Sequence, residues 1–204
     1  MKTKLRSLFM IATFIGGFSL VTNAQLGIQA GYVNSVFKTE IGNVKSTSDA
    51  YNGFNAGITY DYNINEYFGL TTGLLYSLIT NKEKTGGAEF TSTGHYATLP
   101  INIKGNYPIN RSGSLRIFAF VGPDFILGIA GKSKSSIANV ESSSKWYDDD
   151  HTKRFDIALG MGAGLQYNNI RLKFGYDLGL LNLSDLDNVT YKRNHFNISL
   201  GYLF

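Results

Sequence analysis

Cysteine is absent from all 204 residues, so no disulfide braces the chain and no thiol is offered for lipoprotein acylation. Proline occurs only three times and tryptophan once. Charged residues make up 17%, below the roughly 25% usual in soluble domains, so something other than water is expected to cover much of the surface. Beyond the first 24 residues there is no run of about 20 apolar side chains, which excludes a helical membrane protein. An excess of one charge sign is missing as well. The N-terminal segment holds Lys2, Lys4 and Arg6, and without them 16 basic residues face 15 acidic ones. The basic character therefore belongs largely to that segment, and a nucleic-acid partner loses its support.

What the chain does have is glycine, at 23, with 14 Phe and 13 Tyr, a composition that favours strands over helices. The start, MKTKLRSLFMIATFIGGFSLVTNAQ, reads as a secretory signal. It has a basic beginning, an apolar stretch over residues 8–21 broken by Gly16 and Gly17, and a small-residue cleavage site at Thr22-Asn23-Ala24. The expected organisation is a signal peptide, 1–24, followed by one barrel domain, 25–204.

Eight segments alternate: 25–37, 52–62, 67–80, 94–107, 115–129, 153–167, 170–181 and 194–204. A strand sends successive side chains to opposite faces, so each segment has an apolar face and a small or polar one. In the sixth, Phe155, Ile157, Leu159, Met161, Ala163, Leu165 and Tyr167 oppose Ala158, Gly160, Gly162 and Gly164. In the last, Phe196, Ile198, Leu200, Tyr202 and Phe204 share the apolar parity. No helical period, second domain, linker or fixed repeat appears. Short connections (NINE, PINRSGS and NN) alternate with long polar ones at 38–51, 81–93, 130–151 and 182–192. Short turns at one end and long loops at the other are the pattern of outer-membrane barrels. The expected fold class is therefore all-β: an eight-stranded antiparallel up-and-down transmembrane β-barrel with both termini at the periplasmic end.

A length check agrees, since about 11 residues at roughly 3.3 Å, tilted about 40°, rise about 28 Å against an apolar band of about 25 Å. Tyr60, Tyr62, Tyr67, Tyr107, Tyr167 and Tyr202 fall at the short-turn end, where an aromatic girdle belongs. The apolar parity is expected to face lipid, because it recurs in all eight segments and is too large a belt for a monomer in water.

The charged parity is then the lumen or its mouths. It carries Asp61, Lys104, Arg116, Asp124, Arg154, Asp156, Arg171, Lys173, Asp177 and Arg193. Lys104, Arg116, Arg171 and Lys173 gather with Asp61 toward the periplasmic end, and Arg154 and Arg193 with Asp124, Asp156 and Asp177 toward the outer end. Mixed signs in a narrow lumen favour a paired, hydrogen-bonded plug; the rival is a small anion site at the basic lower mouth. Phe118 and Phe120 are expected to lie over the glycine row of the neighbouring strand, the alternative being a bulge that shifts their parity.

Five stretches, YATLPINIKGNY, FAFVGPDFILG, FDIALGMGAGLQY, LKFGYDLGLLNLSD and FNISLGYLF, resemble the bacterial outer-membrane β-barrel family labelled porin-family or PorT-like. Thr98 and Leu99 before Pro100 depart from its pattern. The resemblance implies an eight-stranded outer-membrane barrel, and membership of a secretion or assembly apparatus as one alternative role. It carries no catalytic residues. Tyr202 and Phe204 in the terminal GYLF resemble the aromatic signal read by barrel-assembly machinery. The expected partners are outer-membrane lipid and lipopolysaccharide, that machinery, and an extracellular ligand of the loops. No cofactor is expected.

Three histidines invite chemistry. His151 follows Asp148-Asp149-Asp150 in a long loop, where a divalent cation or lipopolysaccharide bridge competes with the preferred reading, a solvated acidic loop. His195 could meet Asp177 or Asp156, but no motif fixes a serine beside it. His95 reads as an interfacial side chain, and Gly86-Gly87 as turn material rather than a phosphate cradle. The preferred function is a structural or surface-interaction role through the long loops, not an enzyme. A general diffusion pore is disfavoured because eight strands enclose only their own side chains. A barrel enzyme and a soluble ligand-binding barrel are the remaining alternatives.

Overall fold

Alternation becomes architecture in the computed structural model, which describes residues 24–85, 88–137, 140–147, 152–186 and 188–204. The proposed signal peptide, Gly86-Gly87 and the Asp148–His151 stretch lie outside the described residues, although Ala24 already stands in the first strand. The strands are β1 (Ala24–Ile41), β2 (Val44–Thr47), β3 (Tyr51–Asn63), β4 (Phe68–Thr85), β5 (Ala88–Pro108), β6 (Leu115–Ile137), β7 (Val140–Lys145), β8 (Phe155–Tyr167), β9 (Ile170–Gly179) and β10 (Val189–Leu203). Neighbours pair antiparallel in the order β10-β9-β8-β6-β5-β4-β3-β1, and β1 also pairs β10 from Gly27 opposite Leu203 to Ile41 opposite Val189. The result is a closed ring of eight strands. β2 and β7 stand outside it, folding back on β1 and β6.

The short turns have local causes. Asn65 accepts hydrogen bonds at its side-chain oxygen from the amides of Tyr67 (2.9 Å) and Phe68 (2.8 Å). The Asn110 side chain accepts from the Leu115 amide at 3.1 Å, and Gly113 adopts φ 66°. Asn168 in the two-residue turn takes φ 49°, a left-handed conformation that asparagine tolerates better than most side chains.

The opposite end departs from the sequence reading. Three of the four long connections are not simple loops: strands run into them. β1 continues to Ile41 and returns through Gly42, at φ 57°, into β2. β4 and β5 stay paired out to Thr85 opposite Ala88, and β6 continues to Ile137 before turning back as β7. Most of both faces of these extensions meets water, so their Ser, Thr, Lys and Glu residues carry no apolar alternation to betray a strand. In the fourth connection, an isolated bridge joins Thr152 to Ser184.

The parity reading holds within the ring. Leu26, Ile28, Ile58, Leu74, Ile101, Val121, Met161, Phe174, Phe196 and Leu200 are exposed on the outside, whereas Gln29, Asn55, Thr59, Asn102, Asn197 and Ser199 are buried. Such an apolar exterior suits acyl chains and not water. At the short-turn end, Tyr67, Tyr107, Tyr167 and Tyr202 are exposed in the girdle position. A bulge exists, but where His95 and Tyr96 of β5 pair Ala130 and Gly128 of β6, well beyond the phenylalanine pair. Phe118 and Phe120 therefore keep their inward parity, opposite Gly164 and Gly162.

Candidate functional site

Hydrogen-bond register brings lumen residues from distant strands to common levels. Lowest, near the short turns, Asp61 on β3 is fully buried and accepts from Lys104 on β5 and from both terminal nitrogens of Arg171 on β9. One carboxylate thus holds two cations, and Gln166 accepts from Arg171 as well, at 3.2 Å. Arg116 sits at the mouth below, its Nε donating to the Gly113 carbonyl at 2.8 Å.

Above this cluster the glycine row of β8 makes room for rings. A Cβ on Gly162 would come within 2.6 Å of Phe120, and one on Gly164 would fall on Phe118. The two rings carry cations on their faces. The Arg171 guanidinium carbon is 5.3 Å from the Phe118 centroid, and the Lys173 ammonium is 4.2 Å from that of Phe120. Lys173 also feels the carboxylates of Asp124 and Asp177.

The next level joins β9, β10 and β1. His195 Nε2 lies 2.9 Å from Asp177 Oδ2, and Ser35 stands opposite His195 on β1. A serine, a histidine and a carboxylate thus share a row. Yet no hydrogen bond links Ser35 to His195 among the described residues, and His195 Nδ1 is buried with no partner. Activation of a nucleophile requires that missing bond.

Toward the hairpin end the lumen turns apolar, which the expected charge network did not include. Val33, Phe37, Ile79, Tyr96, Ile126 and Ala158 form a buried cluster, with Tyr51, Trp146 and Tyr191 packed on it. Phe37 stacks on Tyr191 with centroids 5.2 Å apart and meets Tyr51 edge-on at 5.0 Å. Trp146 folds inward over Gly131, and Tyr147 over Gly128; a Cβ at either glycine would strike the ring. The indole Nε1 donates to Ser133 Oγ at 2.7 Å. Burial pushes the Tyr147 phenol up from its ordinary value. These rings enclose a cavity of about 250 Å³ at the hairpin-end mouth, whose lining includes Lys153, Arg154, Asp156 and Arg193.

The remaining charges of the expected network divide here. Arg193 and Asp156 are buried at the cavity floor, 3.8 Å apart, with the Arg193 guanidinium 3.9 Å above the Tyr96 ring. Arg154 is exposed at the rim, 4.8 Å from the Tyr147 centroid, because β8 begins only at Phe155. Tyr202 and Phe204 pack edge to face at 5.4 Å on the outer surface, at the short-turn end. His95 lies on the outer face and shares a 2.6 Å hydrogen bond with Tyr76. Among the described residues no group of three acidic or histidine side chains is placed to hold a metal ion.

Sequence reading missed the cup of Phe37, Tyr51, Tyr96, Trp146, Tyr147 and Tyr191. Its one available signal was aromatic side chains on the inward parity near the outer strand ends, Tyr96 above all. Trp146 and Tyr147 carried none, because the hairpin that delivers them has no apolar period.

No match was found among curated proteins. Solved structures of similar shape include Ail, the attachment invasion locus protein of Yersinia pestis, at 20% identity with a TM-score of 0.42, covering 90% of this chain and 100% of that one. Neisserial surface protein A gives 15% identity and a TM-score of 0.46, covering 89% and 99% respectively. OprG from Pseudomonas aeruginosa gives 11% and 0.43, covering 89% and 96%. The sequence model described as the outer membrane protein beta-barrel domain matches residues 15–185, most of the ring described above, and the chain belongs to that family.

Proposed function

We propose that this outer-membrane barrel acts as a surface-interaction module, presenting its extended hairpins and the mouth between them to the exterior, and that it does not serve as a general diffusion pore. One observation carries the reading: the lumen is filled at two levels. The Asp61–Lys104–Arg171 cluster occupies the lower level, and the Val33–Phe37–Tyr96–Ile126 cluster the upper. Little room is left for solute flow, while the paired strands beyond the apolar belt form an ordered surface. The buried charges act as structural cross-links, since each cation of the lower cluster has Asp61 as its partner. Tyr202 and Phe204 serve as the recognition element for assembly, and a cleaved leader delivers the chain to the envelope.

Two measurements together test this reading. In planar bilayers the purified barrel is expected to give no stable ohmic conductance. On cells, removal of the β4–β5 tip or of β7 is expected to abolish surface binding while leaving the barrel assembled. A steady open channel, or binding unaffected by either deletion, would count against it. A role in secretion would instead be lost through changes in the short turns at 64–67 and 109–114.

A further inference from the structure

We infer that Lys38, Lys82, Lys132, Lys134 and Lys192 form a collar on the lipid side of the barrel, at its hairpin end, that binds the phosphate monoester groups of surrounding lipid. The inference goes beyond the surface-interaction reading and shares with it only the outward placing of the hairpin end. Its basis is the face and height at which each lysine stands. Hydrogen bonds between Tyr76 and His95 (2.6 Å) and between Thr80 and Thr93 (2.7 Å) mark the outward face where β4 and β5 leave the apolar belt. On that face, going outward, Lys38 follows Val36, Lys82 follows Leu78, Lys132 and Lys134 follow Ala130, and Lys192 follows Phe196. Each lysine thus stands two to four residues past the last apolar side chain of its strand. In a tilted strand that is a rise of roughly 5–10 Å, the depth of a headgroup layer, about 5–8 Å. The opposite rim differs. There the outward strand positions hold Tyr62, Phe68, Tyr107, Tyr167, Ile170 and Tyr202, and among the described residues no Lys or Arg joins them. Rings at one edge and ammonium groups at the other fit a membrane whose two leaflets differ.

The collar lysines have no ion-pair partner among the described residues. Lys38 and Lys192 are direct cross-strand neighbours, with Cβ atoms about 4.5–5.5 Å apart, a placement of like charges that is unfavourable by itself. Lys82 and Lys134 flank Thr91 across two ladders, about 10 Å apart. The carboxylates of this face stand farther out. Glu40 is held by Lys45 and Glu89 by Lys84, each at 3.0 Å; Glu89 reaches Lys82 only through its field, and Glu141 lies in the tip row opposite Ser136. Face and height define the collar, not a net charge, since Asp148–Asp150 and Asp187 lie outside the described residues. Two other readings fit less well. Lysines guard free strand edges against pairing, but Lys38, Lys132 and Lys134 lie on strands paired on both sides. A soluble polyanion arriving from outside would meet the tips first, where Lys45 and Lys84 are already paired. A phosphate monoester carries close to two negative charges and three acceptor oxygens, enough for ammonium groups from two strands, and its acyl chains lie against the belt just below.

Native mass spectrometry of the barrel refolded in detergent counts the lipids it retains. The probes are lipid A carrying both phosphates, the same glycolipid without phosphates, and phosphatidylglycerol, whose phosphate is a diester. Saturable retention of the bis-phosphorylated lipid is expected, about ten-fold tighter or more than of the other two. Two pair variants, Lys38→Gln with Lys192→Gln and Lys132→Gln with Lys134→Gln, are each expected to lower the number of lipids retained. The tip pair, Lys45→Gln with Lys84→Gln, removes the same charge and is expected to leave the number unchanged. Heat-modifiable mobility shows that each variant is folded, and either collar pair serves if the other does not assemble. Inorganic phosphate at the concentration of the lipid is expected not to displace it; displacement would assign the lysines to the free anion and overturn the lipid reading. Equal retention of the phosphate-free glycolipid or of phosphatidylglycerol, unchanged retention in a folded collar variant, or a tip variant as damaging as the collar pairs would overturn the inference as well. Lipid retention is read without cells, so it stands or falls separately from surface binding by the hairpins.

Discussion

Asp61 and Arg171, 110 residues apart in sequence, meet inside the barrel through both oxygens of the carboxylate and both terminal nitrogens of the guanidinium. With Lys104 on the same carboxylate, the contact cross-links β3, β5 and β9 from within. Removing the anion strands two buried cations, whereas removing Lys104 leaves Asp61 paired with Arg171. Asp61→Asn is expected to destabilise the barrel by about 3–5 kcal/mol, the cost of breaking a buried pair, and Lys104→Met by clearly less. Urea midpoints of the folded, heat-modifiable band measure both. Equal costs would show that the two cations are not held by one anion.

The glycine row of β8 makes a second test. A methyl group at Gly164 collides with the Phe118 ring and with the Leu172 carbonyl. Gly164→Ala is expected to cost about 1–3 kcal/mol, as overpacked sites do. Phe118→Leu in the same chain should recover part of that loss, because only the ring can be moved aside. A double-mutant cycle reads the coupling, and strict additivity of the two changes would mean that the ring does not occupy the glycine's space.

Outward and inward faces respond oppositely to charge. Leu74 on β4 is exposed in the middle of the apolar belt, between Ile58 on β3 and the β5 strand. Leu74→Arg is expected to lower stability in bilayers by about 2–4 kcal/mol, and Tyr107→Arg, in the interfacial girdle, by about 1 kcal/mol or less. Folding titrations in liposomes provide the comparison. Indifference at position 74 would place that side chain away from lipid.

Much of this fold was legible because lipid imposes a strict rule: along a membrane strand, every second residue must be apolar. Leu159 and Ile198 announce their strands for that reason, and the turns at Asn65 and Asn168 announce their ends. The hairpins hid because water wets both faces along most of their length, so Ser143 or Ser144 has no reason to differ from its neighbours. The charged residues of the lower lumen could be read from parity, since Lys104 and Arg171 sit on the face opposite Ile103 and Leu172. Which cation meets Asp61 could not, because that depends on the stagger of strands around the ring. The aromatic cup was least legible, being assembled from six rings on four strands and a hairpin end, with nothing local to tie Trp146 to Phe37.

Phe37 and Trp146, 6.4 Å apart edge to face, yield a further expectation. Gly131→Val would drive the indole out of the cup, and the emission of Trp146 is expected to shift to longer wavelength as the ring becomes wet. Unchanged emission in the folded variant would mean that the indole does not rest on that glycine.

Sidedness is most directly measured by nitroxides placed one at a time along 196–203 of β10, in a chain whose lack of native cysteine makes each label unique. In bilayers, labels at Phe196, Ile198, Leu200 and Tyr202 should collide freely with dissolved oxygen, while those at Asn197, Ser199 and Leu203 should be shielded and immobile. Accessibility of the opposite phase, or none that alternates with a period of two, would contradict a barrel whose oily side chains meet lipid and whose ions are enclosed.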